Sequence, residues 1–212
     1  MSPRPYRAEK RRAASEETRA RIIAAARDLL MSDRGLAGFS IDCVARQAGV
    51  ARMTVYYQFR SKLGLLEAIF DHLAQRGLVQ RLLPALAEPD PLEALNGLIA
   101  AFGAFWSSDR IVIRRLRAFT AFDTVFEQGI RERDERRREH LRGILRRLAE
   151  RYGRPSLETL DETAGLLQTL TNFQTFDSLA GEDRDPEEVT PQVQRLARAI
   201  LGLNDQRAAG AR

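Results

Sequence analysis

The chain has one cysteine, Cys43, two histidines, His72 and His140, and no run of about 18 apolar residues anywhere in its 212 positions. A lone thiol excludes an intramolecular disulfide. Its place on the apolar side of a short helical stretch fits a small packing residue better than a reactive nucleophile. Neither histidine has a cysteine or carboxylate at a spacing that matches a known metal site, so no metal and no cofactor are expected. G-x-S-x-G, Walker-type and dinucleotide-binding fingerprints are absent, which leaves catalysis unsupported and makes a non-enzyme the expectation. Without a stretch of spanning length, nothing is expected to enter a membrane. The charged N-terminus also lacks the apolar core of a signal peptide, so a cytoplasmic protein is expected. No run alternates apolar and polar residues with period two, and the fold class expected is therefore all-α.

What the chain does have is unevenly placed positive charge. Lys and Arg number 34 against 29 Asp and Glu, a net of +5. Residues 1–81 hold 15 basic against 8 acidic side chains, net +7, and the remainder holds 19 against 21, net −2. The whole excess sits in the first part of the chain, the footprint of a nucleic-acid-binding module joined to a near-neutral second domain.

That first part contains the stretch Phe39 to Lys62, FSIDCVARQAGVARMTVYYQFRSK. Ser40 has the side-chain oxygen of an N-cap. Ile41, Val44, Ala45 and Ala48 then recur at helical spacing, and Gly49 supplies the positive φ that ends a helix. A second short helix follows. Val55 and Phe59 face inward, which leaves Arg52, Thr54, Tyr56 and Tyr57 to look outward. Two short helices about a tight glycine turn form a helix-turn-helix. Guanidinium, hydroxyl and aromatic groups on the outward face suit the base edges, methyls and phosphates of a major groove. On pattern alone, the plain alternative is that Tyr56 and Tyr57 are half-buried packing residues of an ordinary helical hairpin.

The run from Phe39 to Leu66 resembles the DNA-binding domain of the TetR family of transcriptional repressors. The resemblance is carried by Ser40, Val44-Ala45, Ala48-Gly49-Val50-Ala51, Thr54-Val55-Tyr56-Tyr57, Phe59, Lys62 and Leu65. The chain departs from the family pattern at Cys43, at Met53 and at Gln58, whose amide can still donate to a phosphate. The resemblance implies contacts with double-stranded DNA from Ser40, Ala51, Arg52, Met53, Thr54, Tyr56, Tyr57, Gln58 and Lys62. Lys62 also stands out by its position. A lysine opening a helix is disfavoured by the helix dipole, and a phosphate shared with the free helix amides would compensate. A solvated surface lysine is the plain alternative.

Four regions are expected in order. Residues 1–14, with two prolines and five basic side chains, read as a disordered arm, either a minor-groove contact or a solubilising tail. Residues 15–61 form a three-helix head whose first helix starts near Ser15 and carries Ile22, Ile23, Ala26, Leu29 and Leu30. Thr18 and Arg19 at its start are candidates for a phosphate contact. Residues 62–205 form a larger helical domain for effector binding and dimerisation. It begins with a helix from Lys62, passes a loop at Pro84–Pro91, and includes one long helix from Leu157 to Ala180. Residues 206–212 are a flexible tail. Within Val125 to Tyr152 acidic and basic side chains alternate at helical spacing, the pattern of a solvated face laced with ion pairs.

Phe102, Phe105, Trp106, Phe119, Phe122, Phe126, Phe173 and Phe176 concentrate aromatics in the larger domain. They are either the walls of an effector pocket or plain core. The resemblance implies the first, for a small and often lipophilic effector. It also implies a homodimer on a palindromic operator, built on the last two long helices through Leu167, Leu170, Val193, Leu196 and Ile200. The alternative for these five is an intramolecular core. The function expected is a sequence-specific transcriptional regulator, a repressor released by its effector. A ligand-independent DNA-binding regulator and an all-α enzyme are the rivals.

Overall fold

A computed structural model describes residues 4–203, with side chains described from Glu9 onward. The tail expected at 206–212, and residues 1–3 of the expected arm, lie outside the described residues. Regular structure among the described residues is entirely helical. In chain order the α-helices are α1 (Arg4–Met31), α2 (Ile41–Ala48), α3 (Arg52–Phe59), α4 (Lys62–Leu73), α5 (Val79–Ala87), α6 (Pro91–Ser108), α7 (Arg110–Phe119), α8 (Thr124–Tyr152), α9 (Leu160–Leu170), α10 (Phe173–Ala180) and α11 (Thr190–Ile200). Short 3-10 turns cover Gly35–Gly38 and Pro186–Val189, and a wide π turn covers Ala74–Leu78.

The chain divides into two compact units. The first holds Met1–His72 and Ile111–Phe126, and the second holds Leu73–Arg110 and Glu127–Arg212. The head thus keeps nearly all of α4 and gains a segment, α7, from well beyond the boundary drawn after residue 61.

In the first unit, α1 begins eleven residues before Ser15, inside the stretch expected to be an arm. Pro5 falls in its first turn, where a missing N–H costs nothing, and the run from Ala8 to Ala14 consists of strong helix formers. Ile22, Ala26 and Leu30 are fully buried at four-residue spacing, as are Val44, Val55, Leu65, Leu66 and Ile69. Val112, Ile113 and Leu116 of α7 are equally buried. Arg115 on the same helix donates to the carbonyl of Leu30, which the end of α1 leaves free, and at 2.6 Å to that of Ser32, which also accepts from Gly35 N.

In the second unit, α6 is the central element. Asp90 caps it, accepting from Leu92 N at 2.8 Å and Glu93 N at 3.2 Å, with Pro91 at the first position. Its residues are buried on nearly every face, from Ala94 through Trp106, the signature of a helix enclosed by others. Helix α5 continues through Pro84 to Ala87, so the expected loop shrinks to residues 88–90. Burial of Leu82 offsets the proline, and Arg147 of α8 holds the end of α5, donating to the carbonyls of Leu86, Glu88 and, at 2.9 Å, Pro89. The single helix expected over Leu157–Ala180 is two. It breaks at Thr171, whose carbonyl accepts from Trp106 Nε1 at 3.1 Å, and Asn172 caps α10 by accepting from Thr175 N at 2.7 Å. Arg142 of α8 gathers Asp161, Glu135 and Glu139, and these carboxylates raise its pKa further above an already high value.

Candidate nucleic-acid interface

Helix α2 starts as its sequence suggests. Ser40 is extended at φ −138°, and its hydroxyl oxygen accepts from Cys43 N at 3.2 Å. Gly49 ends the helix in the left-handed region at φ 64°, where a β-carbon would be strained. Helix α3 then opens from Ala51, which offers no side-chain cap. Val55 and Phe59 turn inward and are buried. Four residues apart, they fix the opposite face of α3 toward solvent.

On that face, Ala51, Arg52, Met53 and Tyr57 are exposed, and Thr54, Tyr56 and Gln58 are half-buried. Tyr57 keeps 83% of its surface in water, which leaves its ring open to a partner. Arg52 does not swing freely. Asp42 of α2 pairs with it at 3.2 Å, the Tyr56 hydroxyl accepts from it at 3.3 Å, and its guanidinium lies 5.5 Å from the Tyr56 ring centre. The Tyr56 hydrogen bond and then the Asp42 charge raise its pKa. An exposed pair adds little to stability. Its effect is to fix the direction in which the planar fork points.

The corner between α3 and α4 is tight. Arg60 caps α3 at φ 65°, a conformation that side chains rarely adopt. Ser61 N donates to the Phe59 carbonyl at 2.8 Å, and Ser61 Oγ accepts from Gly64 N at 2.9 Å, capping α4. A β-carbon on Gly64 would collide with the Phe59 carbonyl oxygen, so only glycine lets the chain turn this closely. Lys62 opens α4 half-buried. Its ammonium lies 5.4 Å from the Phe39 ring centre and 5.6 Å from that of Phe119. No carboxylate among the described residues pairs with it.

Three residues singled out in the sequence serve as braces. Gln58 Nε2 donates to Ser15 Oγ at 2.9 Å, so the amide expected to meet a phosphate ties α3 to α1. Arg19 donates to the Gln58 carbonyl at 3.1 Å and lies 4.5 Å from the Phe59 ring centre, bracing the same pair of helices. Thr18 donates to the Ala14 carbonyl at 2.8 Å within α1. Asp42 and exposed Arg60 were not identified from the sequence, and Phe119 was read there as a pocket wall and not as a neighbour of Lys62. Asp42 is ten residues from Arg52 and Phe119 is 57 from Lys62, separations that carry no periodic signal. The basic side chain of Arg60, between two recognised positions, was the one visible clue.

The eight aromatics expected to line one pocket are distributed over both units. Phe102, Phe105, Trp106, Phe173 and Phe176 are buried in the second unit, whereas Phe119, Phe122 and Phe126 belong to the first. Phe122 is 81% exposed in the turn after α7, so within its unit it lines no interior. In the second unit the rings touch, with Trp106 centred 4.7 Å from Phe105 and 5.7 Å from both Phe102 and Phe173. Leu167 and Val193, expected at a dimer interface, are wholly buried within the second unit and complete its core. Helical phase explains the exchange: the neighbouring Leu166 faces water, as do Leu196 and Ile200 of α11, and Leu170 is half-buried.

A short helix crossing a capped partner about a left-handed glycine, with an exposed polar and aromatic face, defines the helix-turn-helix class. Residues 22–69 match the family model described as bacterial regulatory proteins, tetR family. The chain is 44% identical over 62 residues to the HTH-type transcriptional regulator SrpR of Pseudomonas putida, a match spanning 29% of each chain. It is 42% identical over 62 residues to the HTH-type transcriptional regulator TtgW of the same species, 46% of whose length is covered. The matched stretch therefore spans less than half of either relative. Among solved structures, a TetR transcription regulator from Haloarcula marismortui has a TM-score of 0.71 at 20% identity, covering 88% of this chain and 97% of that one. FadR from Bacillus subtilis, solved in complex with stearoyl-CoA, has a TM-score of 0.69 at 18% identity, covering 87% and 98%. At these identities the likeness is one of fold. Residues 22–69 thus carry a tetR-family domain, and the chain as a whole is similar to these regulators in fold.

Proposed function

We propose that the chain is a sequence-specific repressor that grips a palindromic operator as a homodimer and lets go when a small lipophilic effector binds its second unit. The observation that carries the DNA reading is the exposed face of α3, where Tyr57 stands in water beside an Arg52 already oriented by Asp42 and Tyr56. In this reading Arg52 meets base edges, and Thr54, Tyr56 and Tyr57 meet methyls, sugars and phosphates. Ser40, Ala51 and Met53 line the approach, and Lys62 neutralises a phosphate. Gln58 contributes by holding α3 to α1.

Dimerisation supplies the second half-site, one helical turn of about 34–36 Å or a multiple of it away. Exposed Leu166, Leu196 and Ile200 provide apolar area for it on α9 and α11. The effector reading is supported by the aromatic content of the second unit and by a fold shared with FadR, whose structure holds stearoyl-CoA. Such an effector acts only by binding the released state more tightly, typically by about 1–3 kcal/mol of coupling. Direct ring contact around Trp106 favours a second reading, a ligand-independent regulator with a filled core.

A footprint of the full chain on duplexes selected from a random library tests the proposal, repeated with fatty acids and acyl-CoA thioesters. A protected palindrome that one of these exposes again is expected. Protection that no lipophilic compound relieves points to the ligand-independent reading, and no protected sequence at all overturns both.

A further inference from the structure

A lysine as the first residue of a helix stands where the helix dipole presents positive potential, so its ammonium is repelled by the element that carries it. Lys62 is in that position, and what faces it is aromatic: Phe39, just before α2, at 5.4 Å, and Phe119, the last residue of α7, at 5.6 Å. Both distances fall within the roughly 6 Å over which a ring face attracts a cation. Phe119 is itself fixed edge-to-face, 5.5 Å from Phe126, which is buried. One turn earlier on α7, Arg115 is tied to the end of α1 by its bonds to the carbonyls of Leu30 and Ser32. The ring that meets Lys62 is therefore anchored at its neighbour and along its helix.

We infer that Phe119 is a positioning residue for DNA binding: with Phe39 it holds the Lys62 side chain in the posture from which the ammonium meets a backbone phosphate. This rests on the reading of Lys62 as a phosphate contact. A free lysine side chain loses rotamer freedom when it is fixed, and a side chain already held between two rings loses less on binding. The aromatic faces also offset the repulsion from the start of α4 while leaving the ammonium's donors unspent, which a carboxylate partner would not do. Phe119 does not itself touch DNA in this account, and it discriminates no base.

The test uses the full chain and two duplexes, the sequence it selects from a random library and a scrambled one of equal length. Lys62→Ala is expected to weaken both and to lower the slope of log K against log salt by about one. Phe119→Leu keeps apolar bulk but removes the ring face. It is expected to weaken both duplexes about two- to fivefold, with part of the same loss of slope and no change in base preference. Phe119→Tyr restores binding. In a Lys62→Ala background, Phe119→Leu has no further effect.

Each other outcome separates the two ideas. Unchanged binding by Lys62→Ala sinks the phosphate reading and this inference with it. A loss by Lys62→Ala without one by Phe119→Leu, or a loss that persists in the double variant, or a failed rescue by tyrosine, overturns the role of Phe119 alone. Should Phe119→Leu not fold, the unaltered chain decides by NMR. Upfield ring-current shifts of the Lys62 ε-methylene protons are expected, and random-coil positions overturn the inference.

Discussion

The two units treat their aromatic side chains in opposite ways. In the first, Tyr57 is left 83% in water at the surface of α3, and the rings of Phe39 and Phe119 face a cation. In the second, Trp106 is 1% exposed, bonded through its indole nitrogen to Thr171 and packed against Phe102, Phe105 and Phe173. A ring in a core contributes burial and shape, whereas a ring at a polar surface contributes little to folding and is available to something outside the molecule. The difference teaches that, in this chain, stability and recognition rest on separate residues, so substitutions should split them.

The largest effect is expected from the buried side. Trp106→Ala empties the middle of the second unit and strips the Thr171 carbonyl of its donor. It should cost about 3–5 kcal/mol in a denaturant titration. A loss below about 1 kcal/mol would mean that the ring cluster is loosely packed and would erase the contrast. Arg52→Ala acts on the other unit and on another observable. Preference at one or two base pairs should relax by about 1–3 kcal/mol in a competition assay, while the fold is kept. An unchanged preference removes Arg52 as a reader of bases.

A smaller effect tests whether the second unit is held by its caps as well as its rings. Partial burial pushes the Asp90 carboxyl up. The Glu93 and Leu92 N–H groups, the Arg151 cation and the Tyr152 hydroxyl outweigh this and hold it below the usual value. Folding therefore favours the carboxylate. Its contribution is complete above the unfolded carboxylate value, near 3.8, and is lost as pH falls through the lowered folded value. Asp90→Ala should cost about 1 kcal/mol at neutral pH, and less as that acid range is crossed. An equal cost at every pH would assign the effect to something other than the ionised cap. The smallest change is expected from Tyr57→Ala, whose melting should stay within about 0.5 kcal/mol of the parent while duplex binding weakens. A destabilised variant would show that this ring is packed after all.

Much of the first unit was legible because its signals are local. Ser40, Gly49 and the spacing of Val44, Val55 and Phe59 sit within one or two helical turns of what they specify, and caps and periodicity act over that range. The start of α1 was misjudged because the prolines and charges of residues 1–14 suggest a coil, while Ala8 to Ala14 carry enough helix propensity to extend the helix. In the second unit the break at Thr171 was missed: the cap from Asn172 is local, but the Trp106 indole that donates to the Thr171 carbonyl is 65 residues away. The aromatic group was read as one because all eight positions fall in the later part of the chain. Its division between units depends on where α7 folds back. Leu166 and Leu167 are adjacent and equally apolar, and no pattern of hydrophobicity says which of the two meets water.

By itself the sequence determined the helical class, the helix-turn-helix and the face of α3 that looks outward, because these follow from dihedral preferences and from periods of three to four residues. Tertiary structure alone decided that α7 joins the head, that Asp42 and Tyr56 aim Arg52, and that two phenylalanines hold Lys62. Those contacts join residues far apart in the chain. Only the packing of whole helices brings such residues within the few ångströms over which charges, rings and hydrogen bonds act.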